Sequence, residues 1–127
     1  MRNRLSIKEV VELLDFQNEN LLYSQFLDDF YHAETKIDKY NLIKDEPEYK
    51  TEHKNFLCIL AGTTHKLSVD YGLIMPQWIL ERKYYLDSIY YAFDTKNEEF
   101  QAYLMQTTPH EFKERNLMVG DSLLERY

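Results

Sequence analysis

The stretch YKTEHKNFLCILAGTTHKLSVDY, residues 49–71, decides the fold. Within it Phe56, Leu57, Leu60, Ala61, Thr64, Leu67 and Tyr71 recur at the three- and four-residue spacing of one helical face, and Gly72 follows in the usual position just past a helix end. It is the longest helical pattern in the chain and predicts a central helix. Gly62 inside it is less favourable than Ala by ~1 kcal/mol in a helix interior, so its presence predicts close approach of another helix. Cys58, among Phe56, Leu57, Ile59 and Leu60, reads as a small core hydrophobe.

Upstream, Ser6-Ile7-Lys8-Glu9 has the pattern of a capping box, and Ile7, Val10, Val11 and Leu14 form one apolar stripe behind it. A second stripe of Leu22, Phe26, Leu27, Phe30 and Tyr31 predicts a second helix, with Asp28 and Asp29 on an acidic outer face. Thr35 opens a short third helix through about Lys44, and Asp45-Glu46-Pro47 ends it in an exposed acidic loop, because proline turns the residue before it away from helical geometry. Downstream, Pro76 at a first helical turn predicts another helix through Trp78 and Leu80. Asn97 caps a helix carrying Phe100, Tyr103 and Leu104, and Thr108-Pro109-His110-Glu111 has the form of a second capping box. Leu117-Met118-Val119 reads as extended, residues 121–127 as a final helical turn or two, and residues 84–93 fit neither pattern cleanly. The expectation is an all-α protein: a compact single-domain bundle of about six helices, spanning residues 1–127, around the long central helix.

Composition bounds the function. With 44% hydrophobic and 29% charged residues, 127 residues suffice for one core without covalent staples. A single cysteine forms no internal disulfide and suits a reducing cytoplasm. The first residues are charged rather than apolar, and no run approaches the ~20 apolar residues that span a bilayer, so neither secretion nor membrane insertion is expected. A net charge of −7 opposes docking on phosphate backbones and suits a protein partner. The eleven Tyr and seven Phe fall at helical spacing, which places them in a core rather than under stacked bases.

Catalytic patterns fail on spacing. His32, His53, His65 and His110 include no i, i+4 histidine pair with a neighbouring carboxylate, and His53 and His65 are separated by about 18 Å of helix axis. All four read as surface residues, and no metal or cofactor is expected. The chain lacks a G-x-S-x-G elbow and a glycine-rich phosphate loop, and none of its arginines has a histidine at the downstream distance of a helical Arg-x4-6-His nuclease. No catalytic residue is therefore assigned. The segments Glu81-Arg82-Lys83-Tyr84-Tyr85 and Lys113-Glu114-Arg115-Asn116 mix basic and aromatic residues of the kind enriched at interface hot spots. With Trp78 they nominate Trp78, Arg82, Tyr85, Lys113, Arg115 and Asn116 as a partner-binding surface.

Gly72-Leu73-Ile74-Met75-Pro76-Gln77-Trp78, Tyr85-Leu86 and the run from Thr108-Pro109 through Phe112 and Arg115-Asn116-Leu117-Met118-Val119, together with Phe26-Leu27-Asp28-Asp29-Phe30-Tyr31, resemble segments of an uncharacterised family of small helical bacterial proteins. Thr108 stands where serine is common in that pattern, and Ile89-Tyr90-Tyr91 where the family has a Pro-Trp-Phe element. The family resembles the companions of predicted nucleotidyltransferases in toxin–antitoxin-type operons, and carries no catalytic residues to transfer. The resemblance implies an antitoxin-like or regulatory protein-binding module whose partner is a nucleotidyltransferase-type toxin. The alternative is a DNA-binding transcriptional regulator using helices at residues 6–15 and 20–33. That second helix has no Lys or Arg with which to read base edges or phosphates. A third reading, a small helical enzyme, requires a concave site where two or more polar groups converge.

Overall fold

Residues 60–64 of the central helix are buried in unbroken succession, so packed elements surround the helix there on every side. In this computed structural model, which describes residues 4–125, that helix is α4 (Lys54–Tyr71). It follows α1 (Ile7–Glu12), α2 (Glu19–His32) and α3 (Lys36–Asn41), and precedes α5 (Glu98–Thr107) and α6 (His110–Lys113). Two short strands, β1 (Tyr90–Tyr91) and β2 (Leu117–Met118), pair in parallel with Tyr90 opposite Leu117. The protein is all-α with this one small addition, and among the described residues no helix is long and apolar enough to cross a membrane.

The helix ends follow local chemistry. Ser6 Oγ accepts from the Glu9 N–H at 3.2 Å while Glu9 Oε1 accepts from the Ser6 N–H at 3.2 Å, a complete capping box. Asn97 Oδ1 caps α5 through the Phe100 N–H at 2.8 Å. Gly72 closes α4 at φ +64°, and the Leu73 N–H returns to the Ser68 carbonyl at 2.9 Å.

The main core joins Ile7, Val10 and Val11 of α1, Leu22, Phe26, Leu27 and Phe30 of α2, and Leu57, Leu60, Ala61 and Leu67 of α4 to Trp78, Ile79 and Tyr84. A second, smaller core of Cys58, Phe112 and Leu117 lies on the other side of α4. Two polar side chains of the core find partners there: the Tyr23 hydroxyl and Thr63 Oγ1 lie 2.8 Å apart, and Trp78 Nε1 donates to the Ile43 carbonyl at 3.1 Å. Burial raises the pKa of the Cys58 thiol to about 11, overriding Lys54 and Arg115 nearby, so it packs as an inert hydrophobe.

Several sequence expectations are corrected. The central helix begins at Lys54, after a 3₁₀ turn at Thr51–His53. In place of a helix after Pro76 there are two 3₁₀ turns, Gln77–Leu80 and Arg82–Tyr84, separated by Glu81 in extended conformation. Carbonyls that a helix would satisfy internally, those of Ile79 and Tyr84, accept from Arg115 instead. Thr108 forms no capping box at the start of α6, whose N-cap is Pro109, and instead ends α5. Its Oγ1 donates to the Leu104 carbonyl and accepts from the Gly120 N–H at 2.8 Å, clipping the strand β2 exit to the end of α5. Asp29 is not on an acidic outer face: it is buried and accepts from the Leu5 N–H at 2.7 Å. Glu46 in the predicted acidic loop is held by Lys83 at 2.9 Å and by the Tyr84 hydroxyl at 3.1 Å. Described residues 121–125 make a turn rather than a helix, and 126–127 lie outside the described residues.

The approach predicted at Gly62 is real. A Cβ there would stand 2.7 Å from Phe112 Cδ1 and 2.9 Å from Cε1, well inside contact distance. Gly62→Ala is therefore expected to destabilise by about 1–3 kcal/mol through overpacking, although helix propensity alone would favour it by ~1 kcal/mol. Urea unfolding decides the sign, and a stabilised variant would refute the packing.

Candidate functional site

Arg115, just past α6, is fully buried. Its Nη1 donates to the Ile79 carbonyl at 2.8 Å and to the Tyr84 carbonyl at 3.4 Å, and the guanidinium lies 4.3 Å from the Tyr85 ring centroid. Burial lowers its pKa below the usual guanidinium range, and a guanidinium still stays charged at neutral pH. Nε and Nη2 have no hydrogen-bond partner among the described residues. The next residue continues the clasp. Asn116 adopts φ +65°, its Nδ2 donates to the Leu86 carbonyl at 2.7 Å, and its carbonyl accepts from the Tyr90 N–H at 2.9 Å. The Leu86 N–H in turn reaches the Arg115 carbonyl at 3.1 Å. The two basic and aromatic segments noted in the sequence are thus in contact, and together they hold residues 79–90 against α4.

The segment so held carries one wall of a groove. Tyr90 borders three adjoining hollows. The first, of about 430 Å³, is polar and is shared with Glu19, Asn20, Glu52, His53, Lys54 and Asn55. The second, of about 530 Å³, is more apolar and is lined also by Tyr23, Ile59, Phe93, Val119 and Leu123. The third, of about 360 Å³, runs along Lys54, Asn55 and residues 86–89. At the rim, Phe93 is 87% exposed. Phe93 and Asp94 are both left-handed, with φ of +61° and +49°. Non-glycine residues in this region cost on the order of 1–3 kcal/mol each.

At the polar end His53 Nδ1 lies 2.8 Å from Glu19 Oε2, with its side chain 4% exposed and its ring stacked on Phe16 at 5.2 Å. This corrects the surface reading of His53. A carboxylate-oriented imidazole is half of an acid–base pair, but no described hydroxyl or thiol is hydrogen-bonded to it. The pair does pin the start of α2 to the 3₁₀ turn before α4, which accounts for its burial. Among the described residues no group of three or more His, Cys, Asp and Glu is placed to hold a metal ion.

The nominated partner surface divides. Arg82 and Lys113 are exposed, Tyr85 and Asn116 half-buried, and Trp78 and Arg115 buried. The last two are corrections, since they support the fold from within and offer nothing to a partner. Sequence reasoning missed Tyr90, Phe93 and the Glu19–His53 pair. Two aromatic positions in a stretch without clear periodicity were the one available signal. Comparison of the chain with protein-family models, curated proteins and solved structures found no match.

On the far side of α4, Glu114 Oε1 is 3.1 Å from His65 Nδ1 and Oε2 is 3.2 Å from His110 Nε2. Burial lowers the His65 pKa below 6.5 against the pull of Glu114, and Nδ1 lacks hydrogen-bond alignment, so His65 is neutral at pH 7. The folded chain then takes up this proton less readily than the unfolded one. Its contribution to stability is full above about pH 6.5 and declines as pH falls toward the lowered value. His65→Gln is expected to flatten the fall in urea midpoint between about pH 7 and 5. Equal slopes in both proteins would contradict this.

Proposed function

We propose that the chain is a non-catalytic protein-binding module, antitoxin-like or regulatory in role, that acts in the cytoplasm on a cognate protein through the groove beside Tyr90. The observation that carries this reading is Phe93. A large apolar side chain at 87% exposure, on a backbone with two successive left-handed residues, is unfavourable twice over in the free protein. Burial of that ring against a partner would stabilise the complex by about 1.5–3 kcal/mol, the usual scale for a Phe side chain. Aromatic anchors of this kind dominate interface energetics. A nucleotidyltransferase-type toxin is the partner that the motif resemblance suggests, and the net charge of −7 favours a basic one.

DNA binding through α1 and α2 gains no supporting observation. The sequence of α2 contains no Lys or Arg, and its most exposed residues are Asn20, Leu21 and His32. The hollow at Glu19 and His53 supplies the concave polar setting that an enzyme needs. The pair's structural role and the lack of a hydrogen-bonded nucleophile among the described residues favour binding as its work.

Phe93→Gly separates function from folding. Glycine relieves the left-handed backbone while removing the ring, so stability is expected to rise by up to about 1 kcal/mol while capture of a co-expressed neighbouring gene product is lost. A wild-type chain that captures no protein, or a Phe93→Gly chain that retains it fully, would overturn the proposal.

A further inference from the structure

We propose that the hollow between α3 and the end of α4 is a binding site for a small amphiphilic monocarboxylate, a short aliphatic chain with one anionic head. The site stands apart from the groove beside Tyr90. The hollow lies at Gly72, Leu73 and Ile74, the groove follows the first turns of α4, and no residue lines both.

The hollow has a volume of about 260 Å³ and is lined by Lys36, Ile37, Tyr40, Gly72, Leu73 and Ile74. Ile37 and Ile74 are 73% and 75% exposed, so water lies against apolar surface that a hydrocarbon chain would cover instead. Two polar groups border that surface. Lys36 and Tyr40 are four residues apart on α3 and therefore share one of its faces. Lys36 Nζ lies 3.3 Å from the position that a Cβ on Gly72 would take, which sets the ammonium over the end of α4 at the wall of the hollow. Among the described residues neither this ammonium nor the Tyr40 hydroxyl has a hydrogen bond or ion pair.

This lining selects the occupant. A mostly apolar hollow with a few polar groups is the usual form of a small-molecule site. Six lining residues are too few for a protein segment, since a stable protein interface draws on about 20–30 residues a side. The charge is complementary to an anion and is not already met: Asp38 is held by Arg4 at 3.6 Å, Asp70 by Lys66 at 3.1 Å, and Glu34 forms no ion pair among the described residues. One ammonium balances a single negative charge. The backbone offers no phosphate cradle, because the N–H groups of Gly72 and Leu73 are bonded to the Val69 and Ser68 carbonyls. A carboxylate fits, with one oxygen accepting from Lys36, the other from the Tyr40 hydroxyl, and its chain laid on Ile37, Leu73 and Ile74.

The test is an NMR titration of the full chain with hexanoate, octanoate, 1-hexanol and hexylammonium. Hexanoate is expected to shift the amides of residues 36–40 and 72–74 and to saturate. Each further methylene that is buried contributes up to about fourfold, so octanoate is expected to bind about tenfold more tightly. Hexanol and hexylammonium are expected to bind at least threefold more weakly than hexanoate. Lys36→Gln is expected to abolish the preference for hexanoate over hexanol, and Ile74→Ser to weaken both ligands. Both side chains are exposed, so both variants keep the fold. Shifts that do not saturate, equal binding of hexanol and hexanoate to the wild-type chain, or a preference that survives Lys36→Gln overturns the inference. Shifts confined to residues 53–59 and 89–93 overturn it as well, and none of these outcomes bears on the protein-binding reading.

Discussion

A guanidinium removed from water holds the C-terminal half of this protein together. Among the described residues no carboxylate enters the hydrogen-bonding shell of Arg115; its charge is met by the Ile79 and Tyr84 carbonyls and by the face of Tyr85. Burying an ion is costly unless its donors are satisfied, and two of its nitrogens have no hydrogen-bond partner among those residues. The geometry is therefore demanding. Ile79 and Tyr84 must present their carbonyls at fixed positions, which forces residues 77–84 into two short turns instead of a helix. The fixed path then delivers Leu86 and Tyr90 to Asn116, whose left-handed conformation aims its side chain and carbonyl at them.

What the clasp achieves is placement. Residues 86–93 contain no helix of four residues and little buried apolar surface of their own, so they would be mobile if left to local interactions. Bound to Asn116 and to β2, they instead form a wall facing α2 and α4. The same restraint keeps Phe93 and Asp94 in conformations that an unrestrained chain would leave. The contacts of Arg115 and Asn116 on one side of the segment thus position an exposed aromatic on the other. This coupling of a buried charge to a solvent-facing aromatic is the link between the fold and the proposed binding role.

How much of this is legible in the sequence depends on how local each feature is. The Ser6–Glu9 capping box, the Asn97 cap and the Gly72 terminus involve residues within five positions of one another, and their local chemistry is readable directly. Gly62 is readable as a close approach because a glycine in mid-helix is destabilising unless a neighbour occupies the space a Cβ would fill, though nothing in the sequence identifies Phe112 as that neighbour. Asp29 with Leu5, His53 with Glu19, and Arg115 with Ile79 are joined across 24, 34 and 36 residues. Polar side chains with distant partners look like surface residues until the partners are known, and all three read as surface residues for that reason. The groove is illegible for a related cause: its wall is a segment without periodicity, shaped by contacts from elsewhere rather than by its own pattern.

The dependence of the Tyr90 wall on Arg115 is tested most directly by amide hydrogen exchange in Arg115→Met, which preserves much of the side-chain volume and removes the charge and donors. Faster exchange across residues 86–93, with the interior amides of α4 still protected, is the predicted result. Unchanged protection at residues 86–93 in a folded variant would contradict it, and would show that the groove wall stands without the buried guanidinium.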